Sequence, residues 1–593
     1  MGRRPVRVAR RVTIGYLLAA GLAIAGAIAA AQPAAAAPAP AAGTWQTATS
    51  VVLPPVLNFG QGATINAIAC PSPGNCTAVG HFTDAHDNRA AISDSEVNHT
   101  WAAAIQPFGT VEEFFSDLDL LSVSCSSAGN CSAVGVFTYH SEWTAGMVLN
   151  ETNGKWLLAH YFYQNDKGVQ ISAVSCPHKT NDACAAGGYY VDAGGATQAL
   201  LLNETANGTW FPLPAVPGLA ALNAGGNAAV TSVSCPSAGN CAAGGYYTDS
   251  HGNRQAFVIS AKNGTWGNAH QVAGTLNTGG FAQVNAVSCA SAGNCVAAGQ
   301  YFRYVAPNVS TQAFEATEKN GAWSSAAEVP GTASLNADGL ALATSVSCAP
   351  AAGPLNCALG GRFQDKSGHA QAFVDLVKKG AWQKASAIAT AHNLGGYAQV
   401  STVSCPSAGN CGAGGYYLTA PGSSQKYQAF LVSLEGFAWK PVEEVPGTNA
   451  LNLGMTAHVN AVSCPSVGFC AAGGFYSDGH LGNTLPFTVD GAVTQPTTTA
   501  LSLSAGTVKY GHEQSEKISV KVTPADAGPA TGTVTITAGK TGLCTVKLAS
   551  GKASCTLAAK KLGPGTYHLT ARYAGATYFA KSASAAKTLK VTG

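Results

Sequence analysis

Val233-Ser234-Cys235-Pro236-Ser237-Ala238-Gly239-Asn240-Cys241-Ala242-Ala243-Gly244-Gly245-Tyr246-Tyr247 is the stretch on which the fold turns. Two cysteines bracket a five-residue loop of turn formers, and the flanking residues alternate with period two. This predicts two antiparallel strands joined by a tight hairpin, with the cysteines facing each other and bridged within it. The pattern recurs seven more times, pairing Cys70 with Cys76, Cys125 with Cys131, Cys176 with Cys184, Cys289 with Cys295, Cys348 with Cys357, Cys405 with Cys411 and Cys464 with Cys470. First cysteines follow one another at spacings from 51 (Cys125 to Cys176) to 59 (Cys176 to Cys235) residues. That period suits a four-stranded unit and exceeds that of leucine-rich or ankyrin repeats.

Offsets within each unit are constant. A β-branched residue stands two before the first cysteine, glycine four after the second, and an aromatic six after it, as in Val233, Gly245 and Tyr247. A glycine held at one strand position marks a place where a neighbouring backbone comes close. A third strand follows (Gln255-Ala-Phe-Val258, Gln371-Ala-Phe-Val374), then a fourth carrying Trp45, Trp101, Trp156, Trp210, Trp266, Trp323, Trp382 or Trp439. Trp45 precedes the first cysteine pair, whereas no tryptophan strand follows the last pair, Cys464 and Cys470. The N-terminal segment thus supplies the outer strand that the last unit lacks, and complementary incomplete ends call for a ring rather than an open solenoid. The sequence predicts an all-β chain whose residues 43–492 form an eight-bladed β-propeller of four-stranded blades, closed by the N-terminal strand.

A linker at 493–499 leads to residues 500–593, where apolar and polar residues alternate in short runs such as Ile518-Ser-Val-Lys-Val522, separated by Gly/Pro turns. That is the reading of a β-sandwich. Cys544 and Cys555 are expected to bridge one of its hairpins. At the other end, Arg3, Arg4, Arg7, Arg10 and Arg11 precede an apolar stretch from Val12 to Ala31 and an Ala/Pro run, the three-part build of an export signal over residues 1–36. Residues 37–42 are an Ala/Pro-rich segment; an uncleaved anchor is the alternative, since the apolar stretch approaches a membrane span in length. Export places the chain outside the cell, secreted or surface-associated, where 18 cysteines become disulfides. Setting the five signal arginines aside leaves 27 basic against 29 acidic residues. Nothing in that balance favours nucleic acid or a membrane as partner, and a monomer is expected.

Two polar positions repeat. Twelve residues before each first cysteine stand Asn58, Glu113, Gln164, Asn223, Asn277, Asn336, Asn393 and Asn452; eight after the second cysteine, five units carry Asp84, Asp192, Asp249, Asp365 and Asp478. In a propeller both loop classes open on the face opposite the cysteine hairpins, so these side chains are candidates for a ligand-binding ring around a channel mouth. The alternative is that Asn and Asp hold their own turns. Arg89, Arg254, Arg303 and Arg362 occupy four different units. No nucleophile elbow, zinc-protease, phosphate-loop or calcium-loop pattern occurs, so no metal or cofactor is expected.

Residues from about Thr497 onward, with Pro529-Ala-Thr-Gly-Thr-Val534 and Tyr567-His-Leu-Thr-Ala-Arg-Tyr-Ala-Gly575, resemble a bacterial Ig-like domain (group 3 type) of the kind found in actinobacterial secreted proteins, modules that act as spacers or adhesion units. The repeats are distantly similar to kelch and Asp-box propellers with neither signature complete, so no catalytic residue carries over. The expectation is a non-catalytic binding or adhesion protein whose propeller meets an extracellular glycan or protein, with the Ig-like domain as spacer. A polysaccharide hydrolase or lyase, its site built from residues that break the repeat, is the alternative; a structural surface protein without a specific ligand is the second.

Overall fold

Each N-terminal cysteine pair sits at the closed end of a hairpin that opens an antiparallel sheet, and eight such sheets follow in series. The computed structural model describes residues 7–8, 44–53, 62–84, 88–107, 115–139, 142–164, 167–178, 183–337, 339–422, 425–480, 483–492, 496–524, 529–576 and 579–593. The predicted signal apart from Arg7–Val8, the candidates Asn58 and Glu113, and linker residues 493–495 lie outside the described residues.

All eight expected hairpin bridges are formed. Cys70 is joined to Cys76, Cys125 to Cys131, Cys176 to Cys184 and Cys235 to Cys241. Cys289 is joined to Cys295, Cys348 to Cys357, Cys405 to Cys411 and Cys464 to Cys470. The longer loops, between Cys176 and Cys184 and between Cys348 and Cys357, leave the Cα atoms as close (4.2 and 4.0 Å) as the six-residue separations do.

The fourth sheet gives the plan. Ala229–Ser237 pairs with Asn240–Thr248, which pairs with Arg254–Lys262, and the outer edge takes two short pieces, Thr265–Trp266 and His270–Gln271. The single fourth strand expected here is therefore broken. Between the pieces Ala269 turns its amide to Pro217 O of the preceding sheet at 2.9 Å, and Ala385 to Pro330 and Ala48 to Pro446 repeat this bond.

The recurrent glycines explain themselves at atomic level. In all eight sheets the first two strands slip register at a β-bulge, as between Val230 and Ser232, and the glycine stands beside it. A Cβ on Gly245 would lie 1.9 Å from Ala229 O, and one on Gly361 2.1 Å from Leu342 O. Since the obstacle is backbone, no side-chain rotation relieves it.

Neighbouring sheets are joined by the motif serine. Its Oγ accepts the backbone N–H of the first cysteine of the next sheet: Ser234 from Cys289 (3.0 Å), Ser288 from Cys348 (2.9 Å), Ser347 from Cys405 (3.0 Å), Ser404 from Cys464 (2.9 Å). Ser463 of the last sheet accepts from Cys70 of the first at 2.9 Å, so the series closes into a cycle. At one seam the position is Ala69, which has no hydroxyl to offer Cys125. A second set of bonds lies farther out, where Trp156 donates to Ser93, Trp266 to Asn203 and Trp101 to Asp490 across the closing seam. Thr44–Trp45 and Thr49–Ser50 pair with Thr484–Ala492, completing the last sheet from the N-terminus.

The C-terminal region is an Ig-like domain of two sheets around Leu501, Ile518, Ile536, Leu569 and Leu589. Thr497–Leu503 lies in one sheet and Thr507–Lys509 crosses to the other, parallel to Lys587–Thr592. Cys544 and Cys555 are bonded as expected but do not bridge a hairpin: Thr541–Lys547 and Lys552–Thr556 part into different sheets, so their disulfide ties the two sheets together. Nine disulfides in one chain suit an oxidising, extracellular environment. Among the described residues no helix is long and apolar enough to cross a membrane.

Candidate functional site

The repeated amides are buried. Asn277 donates from Nδ2 to Arg254 O (2.9 Å) and Gln255 Oε1 (3.0 Å), and its Oδ1 accepts from Phe281 N (2.7 Å). Gln255 in turn donates to Asp249 Oδ2 (3.0 Å), while Asp249 Oδ1 accepts from His251 N and Asn253 N and closes its turn. The same relay runs through Asn223, Gln198 and Asp192, and through Asn393, Gln371 and Asp365. Asn336 and Asn452 bond Gln312 and Gln428 in the same way. Asp84 and Asp478 accept from the turn amides Asn88 N and His480 N, and Gln164 is buried at a bridge to Lys167. The structure thus brings these residues together in pairs and triads within each sheet, as clamps between a loop and the third strand. Three of the units that end in Asn, such as Pro330-Gly-Thr-Ala-Ser-Leu-Asn336, enter it through a one-turn helix that starts from a left-handed glycine (Gly331, φ 87°).

Carboxylates cluster between sheets. Burial raises Asp94 to about 7, Asp375 to about 8 and Asp490 to about 6; Glu96 reaches about 9 through burial and the negative charges of Asp490 and Asp94. Burial also raises Glu151, Glu315 and Glu318, the last accepting from Ser260 Oγ at 2.7 Å. All are at most 8% exposed.

A different set of residues is half-buried and reaches the sheet ends opposite the disulfides. In sheets six to eight, Arg362 hydrogen-bonds Tyr397 Oη, its guanidinium 5.3 Å from that ring's centroid. Tyr397 stacks on Tyr416 (6.0 Å between centroids, 10° between planes), Tyr416 on His458 (3.8 Å, 4°), and His458 leans on Phe475 (4.9 Å). Tyr427 meets three of them edge-on. Burial pushes His458 down to about 4, so its ring is neutral. His458 Nε2 and Arg362 Nε have no hydrogen-bond partner among the described residues. Farther round, the Arg254 guanidinium lies 3.9 Å from the Tyr246 centroid and 4.9 Å from that of Phe281, and donates to Gln283 at 3.0 Å. The four arginines are pinned separately, Arg89 beside Asp119 (3.9 Å) and Arg303 beside Glu328 (3.5 Å). Asp119 also meets Asn66 (2.7 Å) and His81 (3.0 Å).

Sequence reasoning singled out Arg254 and Arg362 but missed the aromatic members of this crescent and their assembly. Its second-strand members stand five after the second cysteine, where the units differ: His81, Val136, Tyr189, Tyr246, Gln300, Arg362, Tyr416, Phe475. The available signal was that variability, next to an invariant aromatic that is core (Tyr247 is 2% exposed).

Residues 501–592 match the bacterial Ig-like domain (group 3) family. No curated protein matches the sequence. Among solved structures, the chain is similar to a protein of unknown function from Dyadobacter fermentans at 12% identity over 66% of this chain and 99% of that one, with a TM-score of 0.32. It is similar to an arginine-to-alanine mutant of AofleA from Arthrobotrys oligospora at 10% identity over 56% and 87%, TM-score 0.28, and to xylan beta-1,4-xylosidase from Bacillus halodurans at 11% identity over 74% and 99%, TM-score 0.23. Likenesses at these TM-scores carry no argument about fold or activity. The part of the chain that a known family accounts for is thus residues 501–592, which match the bacterial Ig-like domain (group 3).

Proposed function

We propose that residues 43–492 form an eight-bladed β-propeller, and that the protein is a non-catalytic extracellular binding protein whose propeller recognises a glycan through the aromatic and arginine crescent. The blade reading is supported by the eight antiparallel sheets, the serine bonds from each to the next, and the N-terminal strand that completes the last. The observation that carries the functional reading is the stack Arg362, Tyr397, Tyr416, His458 at half-buried positions where the units differ. The partly exposed aromatic edges suit the apolar parts of a sugar, and the partly exposed Arg362 guanidinium suits its hydroxyls. Carboxylates near these ends already have partners: Asp119 with Asn66, His81 and Arg89, and Glu328 with Tyr301 and Arg303. That favours binding over acid–base chemistry.

The test is a glycan-array screen of the mature protein followed by titration of Arg362→Ala and Tyr397→Ala. Each is expected to weaken the selected glycan by roughly ten-fold, about 1.4 kcal/mol. Unchanged affinity in both would remove the crescent from the site, and release of free sugar would overturn the non-catalytic reading.

A further inference from the structure

The balance of charge over the whole chain conceals a division. Residues 497–593 hold 12 Lys and Arg against three acids, Glu513, Glu516 and Asp526, a net +9. The preceding residues hold 20 Lys and Arg against 26 acids, or 15 against 26 without the five signal arginines, a net −11. Two of the three C-terminal acids are also withdrawn from the surface. Glu516 is buried and accepts from the backbone N–H groups of Ser504, Ala505 and Gly506, and Glu513, equally buried, accepts from Lys560 N at 2.7 Å. The Ig-like domain therefore presents an almost purely cationic exterior.

One of its faces is organised. In the three-stranded sheet, alternation turns Ile518, Val520 and Val522 inward and Lys517, Ser519 and Lys521 outward, with Ser519 opposite Ser554 and Lys521 opposite Lys552. Lys517, Lys521 and Lys552 line a shallow groove of about 390 Å³ together with the hydroxyls of Ser502, Ser519 and Ser554. No ion pair involves these three lysines among the described residues. Placing Lys521 directly across from Lys552 is unfavourable unless an anion bridges them.

We propose that this face docks an anionic polysaccharide, a linear polymer carrying carboxylates or sulfates. Three cations fixed on a flat ladder match charges repeating along a chain, and the hydroxyls between them match the polymer's own. A membrane surface fits less well, because among the described residues of this domain Tyr510 is the only large exposed apolar side chain. The Ig-like domain is then a second binding module rather than a spacer, independently of what the propeller holds.

The experiment uses the full mature chain with polygalacturonate and dextran sulfate as probes and neutral dextran as control, across a salt series. The two anionic polymers are expected to bind and neutral dextran not. The triple variant Lys517→Gln, Lys521→Gln, Lys552→Gln should bind roughly ten-fold more weakly and lower the slope of log affinity against log salt by about two. Lys560→Gln, Lys561→Gln, Lys590→Gln removes the same charge elsewhere and should change affinity less than about three-fold. Equal loss in both triples would mean diffuse attraction and overturn the assigned face. Binding to phosphatidylglycerol vesicles but to neither polymer, or salt-sensitive self-association through the acidic remainder of a second copy with neither polymer bound, would overturn the ligand.

Discussion

Gly245 faces the carbonyl of Ala229 because a bulge has turned that oxygen inward, and seven other glycines meet the same obstacle. Gly245→Ala should therefore destabilise the protein by about 3 kcal/mol or more, read by chemical denaturation, since the clash is with main chain. Asn277 holds a loop: Asn277→Ala removes two donated bonds and leaves Phe281 N unpaired. It should lose about 1–3 kcal/mol of stability with glycan affinity unchanged; a variant of normal stability that no longer binds would return the amides to the site. At this scale the sequence was informative where a residue repeats and left open why. A repeated Asn reads equally as ligand or clamp until the Gln and Asp that it bonds are seen beside it, and the Gln was legible only as part of a strand.

Between elements, the joint from sheet to sheet is a hydroxyl accepting a cysteine N–H, and the seam at Ala69 lacks it. Ala69→Ser should add the bond to Cys125 N and raise stability by about 1 kcal/mol; thermal unfolding that is unchanged or earlier would show that the seam has no room for it. The hairpins, their bridges and the closing role of Trp45 could be read from spacing, because strand alternation and tight turns are local. Cys544 and Cys555 could not: eleven residues apart they suit a hairpin, and only the parting of their strands into two sheets makes them a cross-tie. The crescent stayed hidden for a related reason, since its members come from neighbouring sheets and share no repeated identity.

Over the whole molecule the buried acids set the response to pH. Their folded pKa values are raised, so their contribution is fully present below the unfolded values of about 4 and is lost as pH rises through the folded values, about 6 for Asp490, 7 for Asp94, 8 for Asp375 and 9 for Glu96. His99 and His458, lowered to about 4 by burial, act oppositely, with stability lost as pH falls below about 6.5. The thermal midpoint should peak near pH 4 and decline toward pH 9, because four raised acids outnumber two lowered histidines, and Glu96→Gln with Asp375→Asn should flatten that decline. A midpoint rising from pH 6 to 9 would contradict the burial of these groups.

The strand at Thr44–Trp45 is synthesised before any of the eight hairpins, and its partner Gly491 after all of them. Every intermediate on the way carries an open last edge and a waiting first strand, so completion is a late, long-range event rather than a local one. A chain stopped anywhere before sheet eight leaves Thr44–Trp45 without the strand it pairs with, to be found only on another molecule.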